Sequence, residues 1–169
     1  MTNLIELQEK LKACSLYGLL LVTQKALTRA GYGDVQFQDR RQRRQKTKHG
    51  GHELTCLWHH GDCASSVVVK VSTYALRTRN LDEAIGTVDR RRADSAMVVS
   101  PHNLSPKVAV KQGQYATAPL TVLAGSELAG LVATHGVGLL PDGTIDHIFY
   151  DLLRQEEREL LPYLVQGWL

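Results

Sequence analysis

Hydrophobic residues near the start of the chain recur at the spacing of one face of an α-helix. They are Leu4, Ile5, Leu7, Leu11, Leu16, Leu19, Leu20 and Leu27. Thr2 or Asn3 can cap the start of this helix, and Gly31 is typical of a helix end. The pattern therefore predicts one long helix, or two helices broken between Cys14 and Gly18. A short strand with alternating polarity is predicted from Val35 to Gln38.

The next pattern, from Gly50 to Val71, predicts a β-hairpin. A run of valines at 67–71, interrupted by Lys70, has the β-branched character that favours a buried strand. Glu53 opens the strand before it, and the polar residues from His59 to Asp62 form the connection. A carboxylate and a lysine on these neighbouring strands can therefore face the same point in space.

The second half of the chain alternates between helical and strand patterns. Helices are predicted over 81–92, from Pro106 to about Gly113 with Ser105 as the cap, and from Ser126 as a cap to about Gly136. Short strands are predicted over 96–99 and 120–123. This alternation is typical of crossover connections on a partly parallel sheet. The fold class is therefore predicted to be α/β, with a mixed central sheet flanked by helices.

The end of the chain differs from the rest in its acidic, amphipathic character. Residues 148–164 predict one or two appended helices, with glutamates on their polar side. We therefore divide the chain into a main domain, 1–138, and a C-terminal helical extension, 139–169. The extension is expected to pack on the domain, on a second copy of the chain, or on a partner protein.

Length and composition indicate one folded core and a cytoplasmic location, but they do not indicate a function. The chain has 169 residues, 43% of them hydrophobic, which is enough for one sizeable core. Three cysteines, no recognisable leader and no apolar run of about 20 residues predict a cytoplasmic protein with reduced thiols and no membrane association.

The positive charges are clustered, although the formal net charge is only +3. One run consists of Arg40, Arg41, Arg43, Arg44, Lys46 and Lys48, and a second of Arg90, Arg91 and Arg92. Clustered cations suit a polyanion such as a nucleic-acid backbone. A solvated surface explains the first run equally well.

A series of short motifs follows in a fixed order along the chain. They are Ala-Gly-Tyr at 30–32, Gly50-Gly51 before Glu53, the valine strand ending in Lys70, Leu-Asp-Glu-Ala-Ile-Gly at 81–86, Val-Val-Ser-Pro at 98–101 and Leu-Ala-Gly-Ser-Glu-Leu at 123–128. Their content and order resemble the catalytic domain of Mrr-type restriction endonucleases, which belongs to the PD-(D/E)xK nuclease superfamily. The resemblance covers about residues 4–138.

This resemblance implies a magnesium- or manganese-dependent endonuclease that acts on DNA, in a bacterial defence setting against foreign DNA. By position, Glu53 would be a metal ligand, the Val69 carbonyl a second contributor and Lys70 the catalytic lysine. The basic residues 40–48, together with Arg77 and Arg79, would contact phosphates. A dimer is expected if both strands of a duplex are cut.

The chain departs from the family pattern at Val68, where Gln or Glu normally supplies a side-chain ligand. Glu6 or Glu9 on the first helix, or Glu83 on the second, could compensate, and the spacing selects none of them. Two functions therefore stay open. One is a DNA endonuclease; the other is an inactive nuclease-fold protein that binds nucleic acid or assembles with itself or a partner.

Each candidate residue also has a structural interpretation. Glu53 could be a strand-edge carboxylate paired with a nearby arginine, and Lys70 must point to solvent or lie in a polar site. The hairpin turn also carries a possible zinc clip, made of Cys56, His59, His60 and Cys63. Their crowding in an extended hairpin favours a polar turn with one buried cysteine instead, so zinc is not expected.

Overall fold

The computed structural model describes residues 2–37, 52–167 and 169. The helices are α1 (Leu4–Ala13), α2 (Leu16–Arg29), α3 (Thr78–Arg91), α4 (Pro106–Gln114), α5 (Ser126–Thr134), α6 (His147–Leu152) and α7 (Glu157–Val165). The strands are β1 (Gly33–Phe37), β2 (His52–His60), β3 (Cys63–Val71), β4 (Ser95–Ser100) and β5 (Leu120–Ala124). Over these ranges, no helix is both long enough and apolar enough to cross a membrane.

The strands form one mixed sheet in the order β1-β2-β3-β4-β5. β2 is antiparallel to both of its neighbours, β1 and β3, whereas β3, β4 and β5 are parallel. Parallel neighbours need a crossover, and α3 and α4 provide the two crossovers of this sheet. The predicted α/β class, with a mixed sheet flanked by helices, is confirmed.

Each face of the sheet packs against its own helices. Val67, Val69 and Val71 point to a large core shared with α1, α2 and α5, because alternate residues of a strand face one side. The opposite face carries a smaller core between β4, β5, α3 and α4, which includes Leu81 and Val98. Val68 and Lys70 belong to this second face.

The N-terminal hydrophobic pattern forms two helices, α1 and α2, which is one of the two predicted arrangements. Asn3 caps α1, since its side chain accepts hydrogen bonds from the Ile5 and Glu6 backbone N–H groups. Ser15 caps α2 in the same way. The break lies at Cys14 and Ser15, inside the predicted interval.

Three predicted boundaries are wrong in detail. The hairpin connection is only Gly61 and Asp62, because β2 extends through His60. Helix α3 begins at Thr78 rather than Leu81, since the Asn80 side chain accepts the Arg77 backbone N–H and stabilises an earlier start. The cap of α5 is Gly125, whose φ of 55° suits glycine, and not Ser126.

The C-terminal extension forms two helices that pack on the large core. Tyr150, Leu153 and Leu160 are fully buried there, and the Tyr150 hydroxyl donates a hydrogen bond to the Val137 carbonyl at 3.0 Å. Packing on the rest of this chain, one of the expected arrangements, is therefore observed. The division at Gly138 into two domains and the assembly through this segment stay predictions.

Candidate active site

Glu53 and Lys70 lie directly opposite each other on β2 and β3. Both side chains are largely buried, with 11% and 13% of their surface exposed, on the sheet face that α3 covers. The Lys70 Nζ atom donates to Glu53 Oε1 at 3.0 Å. A lysine within a valine strand thus lies in a polar site rather than in solvent. The strand and turn pattern indicates that these two side chains can face the same point.

Helix α3 brings two further charges to the pair. Glu83 Oε1 accepts a second hydrogen bond from Lys70 Nζ at 3.2 Å, and Arg91 donates from a guanidinium nitrogen to Glu53 Oε2 at 3.0 Å. These helix residues are eight apart and therefore share one face of α3. We call Glu53, Lys70, Glu83 and Arg91 the charge cluster. The negative charges of its two carboxylates balance the positive charges of its lysine and arginine.

The carboxylate oxygens of the charge cluster are ligands of the type that Mg²⁺ prefers. Glu53 and Glu83 direct carboxylate oxygens at the same ammonium group, and Mg²⁺ in proteins is commonly held by one or two carboxylates, with water completing its shell. Across residues 2–37, 52–167 and 169, no group of three or more His, Cys, Asp or Glu side chains could hold a metal. Val68 provides no side-chain ligand, and the second carboxylate next to Lys70 is that of Glu83 on α3.

Of the three glutamates that could compensate for Val68, only Glu83 reaches Lys70. Glu6 lies 3.7 Å from His147, and Glu9 pairs with Lys12 at 2.7 Å. The Val69 side chain is fully buried in the large core, and its backbone lies in a strand paired on both sides. Metal binding by the Val69 carbonyl stays a prediction.

The predicted phosphate-contacting residues fall in two places. Residues 40–48, which include Arg40, Arg41, Arg43, Arg44, Lys46 and Lys48, lie outside the described residues. Arg77 and Arg79 are exposed at the start of α3. Arg79 is one helical turn before Glu83, so it extends the face that carries the charge cluster. Its contact with phosphate stays a prediction.

Arg91 is the member of the charge cluster that sequence reasoning did not assign to the site. The sequence identifies Arg91 only as part of a basic run. The usable signal was the helical spacing of Glu83, Thr87 and Arg91, which places them on one face of α3 next to the apolar face formed by Leu81 and Ala84. The structural interpretation of Glu53, as a carboxylate paired with a nearby arginine, describes this contact.

The cysteine and histidine residues of the hairpin do not converge. Cys56 is buried and faces the large core, whereas Cys63 is exposed beside the turn. His59 and His60 are exposed at the end of β2. Burial raises the pKa of the Cys56 thiol to about 11. The arrangement is that of a polar turn with one buried cysteine.

We expect iodoacetamide to modify Cys63 in the native protein and to spare Cys14 and Cys56. Burial raises the pKa of Cys14 to about 12, so both buried thiols stay protonated and inaccessible at neutral pH. Mass spectrometry after a timed reaction should find one modified site, and all three after denaturation. Modification of Cys56 at the rate of Cys63 would show that the hairpin opens in solution.

Known proteins resemble this chain in fold and not in sequence. No protein-family model matches the sequence, and no curated protein matches it. A solved structure of MspJI restriction endonuclease in complex with a 27-mer oligonucleotide is similar, with a TM-score of 0.51 and 16% sequence identity. The match covers 80% of this chain and 31% of that chain. The fold is therefore restriction-endonuclease-like, and this chain spans about a third of the larger enzyme.

Proposed function

We propose that this protein is an Mrr-like, metal-dependent endonuclease that hydrolyses phosphodiester bonds in DNA. The observation that carries the proposal is the convergence of Glu53, Glu83 and Lys70 on the α3 side of a restriction-endonuclease-like sheet. Carboxylates and a lysine are the residue types that the resemblance implies for this hydrolysis. Foreign DNA in a defence setting is the substrate class that this resemblance favours.

Each member of the charge cluster then has a role. Glu53 and Glu83 would hold Mg²⁺ or Mn²⁺, which lowers the pKa of a bound water and stabilises charge on the phosphate. Lys70 orients the attacking water and offsets the negative charge that develops on the phosphate oxygens. Arg91 fixes the rotamer of Glu53 through Oε2, which keeps the other oxygen directed at Lys70.

DNA is proposed as the partner for two independent reasons. The similar solved structure contains an oligonucleotide, although this chain matches only 31% of that protein. The basic residues 40–48, Arg77 and Arg79 supply the clustered charge that phosphate binding requires. Cutting both strands of a duplex would require two copies of the site, so a dimer forms part of the proposal.

The test is a titration of Mg²⁺ and Mn²⁺ by calorimetry, joined to a labelled-duplex cleavage assay on the same samples. Glu53→Gln and Glu83→Gln are each expected to weaken metal binding and to slow cleavage by about 100-fold or more. Glu9→Gln is the matched control, because Glu9 is a helix carboxylate that pairs with Lys12 away from the cluster. A wild-type protein that neither binds metal nor cleaves DNA would overturn the proposal.

The second candidate is a nuclease-fold protein that binds DNA without cutting it, or acts as an assembly subunit. Two observations favour it: Val68 offers no ligand, and both oxygens of Glu53 already accept hydrogen bonds from cations. In that case the wild type and Glu53→Gln would bind a duplex equally well, and neither would cleave it. Metal-dependent cleavage by the wild type would exclude this candidate.

A further inference from the structure

An open cavity of about 390 Å³ adjoins the charge cluster on the same face of the sheet. Its walls come from β1, β2, β3 and the end of α3, and include Asp34, Gln36, Thr55, Val68, Arg91 and Arg92. Volumes of this order are typical of small-molecule sites. Arg91 belongs to both features, because it lines the cavity and donates to Glu53. A ligand in the cavity would therefore touch the candidate active site.

The strand geometry fixes how far the cavity lies from the cluster. Thr55 and Val68 face each other across β2 and β3. Glu53 and Lys70 form the equivalent pair two residues away on each strand. Residues two apart on a strand share a face and lie about 7 Å apart. This separation is about the length of one nucleotide in a single strand. The Val68 side chain, which cannot bind metal, is one of the apolar groups that line the cavity.

A β-bulge shapes the opposite side of the cavity. Strand β1 has one extra residue between its pairs Gly33 with Leu57 and Gln36 with Thr55. Asp34 lies within this bulge and has a φ of 48°, in the left-handed region that aspartate tolerates better than most residues. Bulges commonly redirect a side chain next to a functional site. Here the bulge places Asp34 and Gln36 on the cavity wall.

We propose that this cavity binds the nucleotide next to the cleaved phosphodiester, with its phosphate on Arg91 and Arg92 and its base against Val68, Asp34 and Gln36. Guanidinium groups bind phosphate through paired hydrogen bonds, which supports the arginine side of the site. A carboxylate and an amide can accept from, and donate to, the edge of a base. The inference rests on the proposed function, because it names a substrate subsite of the same site.

The probe is a 5′-phosphorylated deoxydinucleotide, with binding followed by NMR chemical shifts and calorimetry on the full chain without metal. Arg92→Asn removes the charge and suits the φ of 52° at this position, so it is expected to weaken binding about tenfold. Arg90→Asn is the control, because it removes the same charge from the same helix end. Arg90 donates to Thr87 and does not line the cavity, so its replacement should leave the affinity unchanged.

The outcomes separate this subsite from the proposed function. Binding that Arg92→Asn weakens, in a protein that does not cleave DNA, would support the subsite and overturn the catalytic proposal. Inorganic phosphate that binds as tightly as the dinucleotide would overturn the base contact. Equal loss in Arg90→Asn and Arg92→Asn, or shifts confined to residues outside the cavity, would overturn the subsite while leaving cleavage as a separate result.

Discussion

Replacing Lys70 with methionine is expected to lower the free energy of unfolding by about 2 to 4 kcal/mol at neutral pH. Methionine keeps the apolar length of the side chain but removes the ammonium group that both Glu53 and Glu83 accept from. Glu53 is nearly buried, so water cannot replace that partner fully. Equilibrium unfolding in urea, followed by circular dichroism, measures the loss.

Lys12→Met is the matched control for this prediction. The Lys12 to Glu9 pair is shorter, at 2.7 Å, yet 65% of the Glu9 side chain is exposed. Exposed pairs contribute little, so this variant should stay within about 0.5 kcal/mol of the wild type. Burial, and not distance, then decides the cost of losing the lysine. Equal stability of the two variants would show that the charge cluster is solvated in solution.

Lys70→Arg separates stability from catalysis. Arginine keeps a positive charge between the two carboxylates, so most of the stability should remain. Its guanidinium is planar and stays protonated, and it is a poor substitute for a lysine that orients or deprotonates a water. We expect cleavage to fall by about 100-fold or more while the unfolding midpoint changes little. A variant that cleaves at the wild-type rate would remove Lys70 from the proposed mechanism.

The hairpin that carries Glu53 and Lys70 could be predicted because its signals are local. A valine strand and a glycine-containing turn fix the strands, and the two-residue turn at Gly61 and Asp62 then sets the register that pairs these residues. Glu83 could not be chosen over Glu6 and Glu9, because the choice depends on how α3 crosses β3. That crossing is a tertiary contact without a local sequence signal.

The same distinction explains the smaller errors. The sequence does not indicate the start of α3, because the Asn80 side chain is an unusual stabiliser of a helix start. The caps Asn3 and Ser15 follow the common pattern. Asp34, which lines the cavity next to the cluster, lies in a β-bulge. A bulge appears only when β1 and β2 are paired, so the sequence of β1 alone does not predict it.

Gly18→Ala should destabilise the protein by about 2 to 3 kcal/mol, although alanine usually stabilises a helix relative to glycine. A Cβ atom at Gly18 would lie 2.1 Å from the Leu153 carbonyl oxygen, which is backbone and cannot rotate away. The same oxygen accepts the Ser15 N–H at 2.9 Å, so moving it also loosens the cap of α2. The first turn of α2 would then lose its contact with the C-terminal extension.

Gly130→Ala is the control, and it is expected to raise the free energy of unfolding that Gly18→Ala lowers. Gly130 lies inside α5, and a Cβ there would meet nothing within 4 Å, so the substitution should stabilise the protein by about 0.5 to 1 kcal/mol. Urea unfolding of both variants measures the difference. A stabilised Gly18→Ala would mean that the extension is not docked on α2 in solution. Because Leu153 belongs to the large core on the other face of the sheet, neither variant should change cleavage per folded molecule.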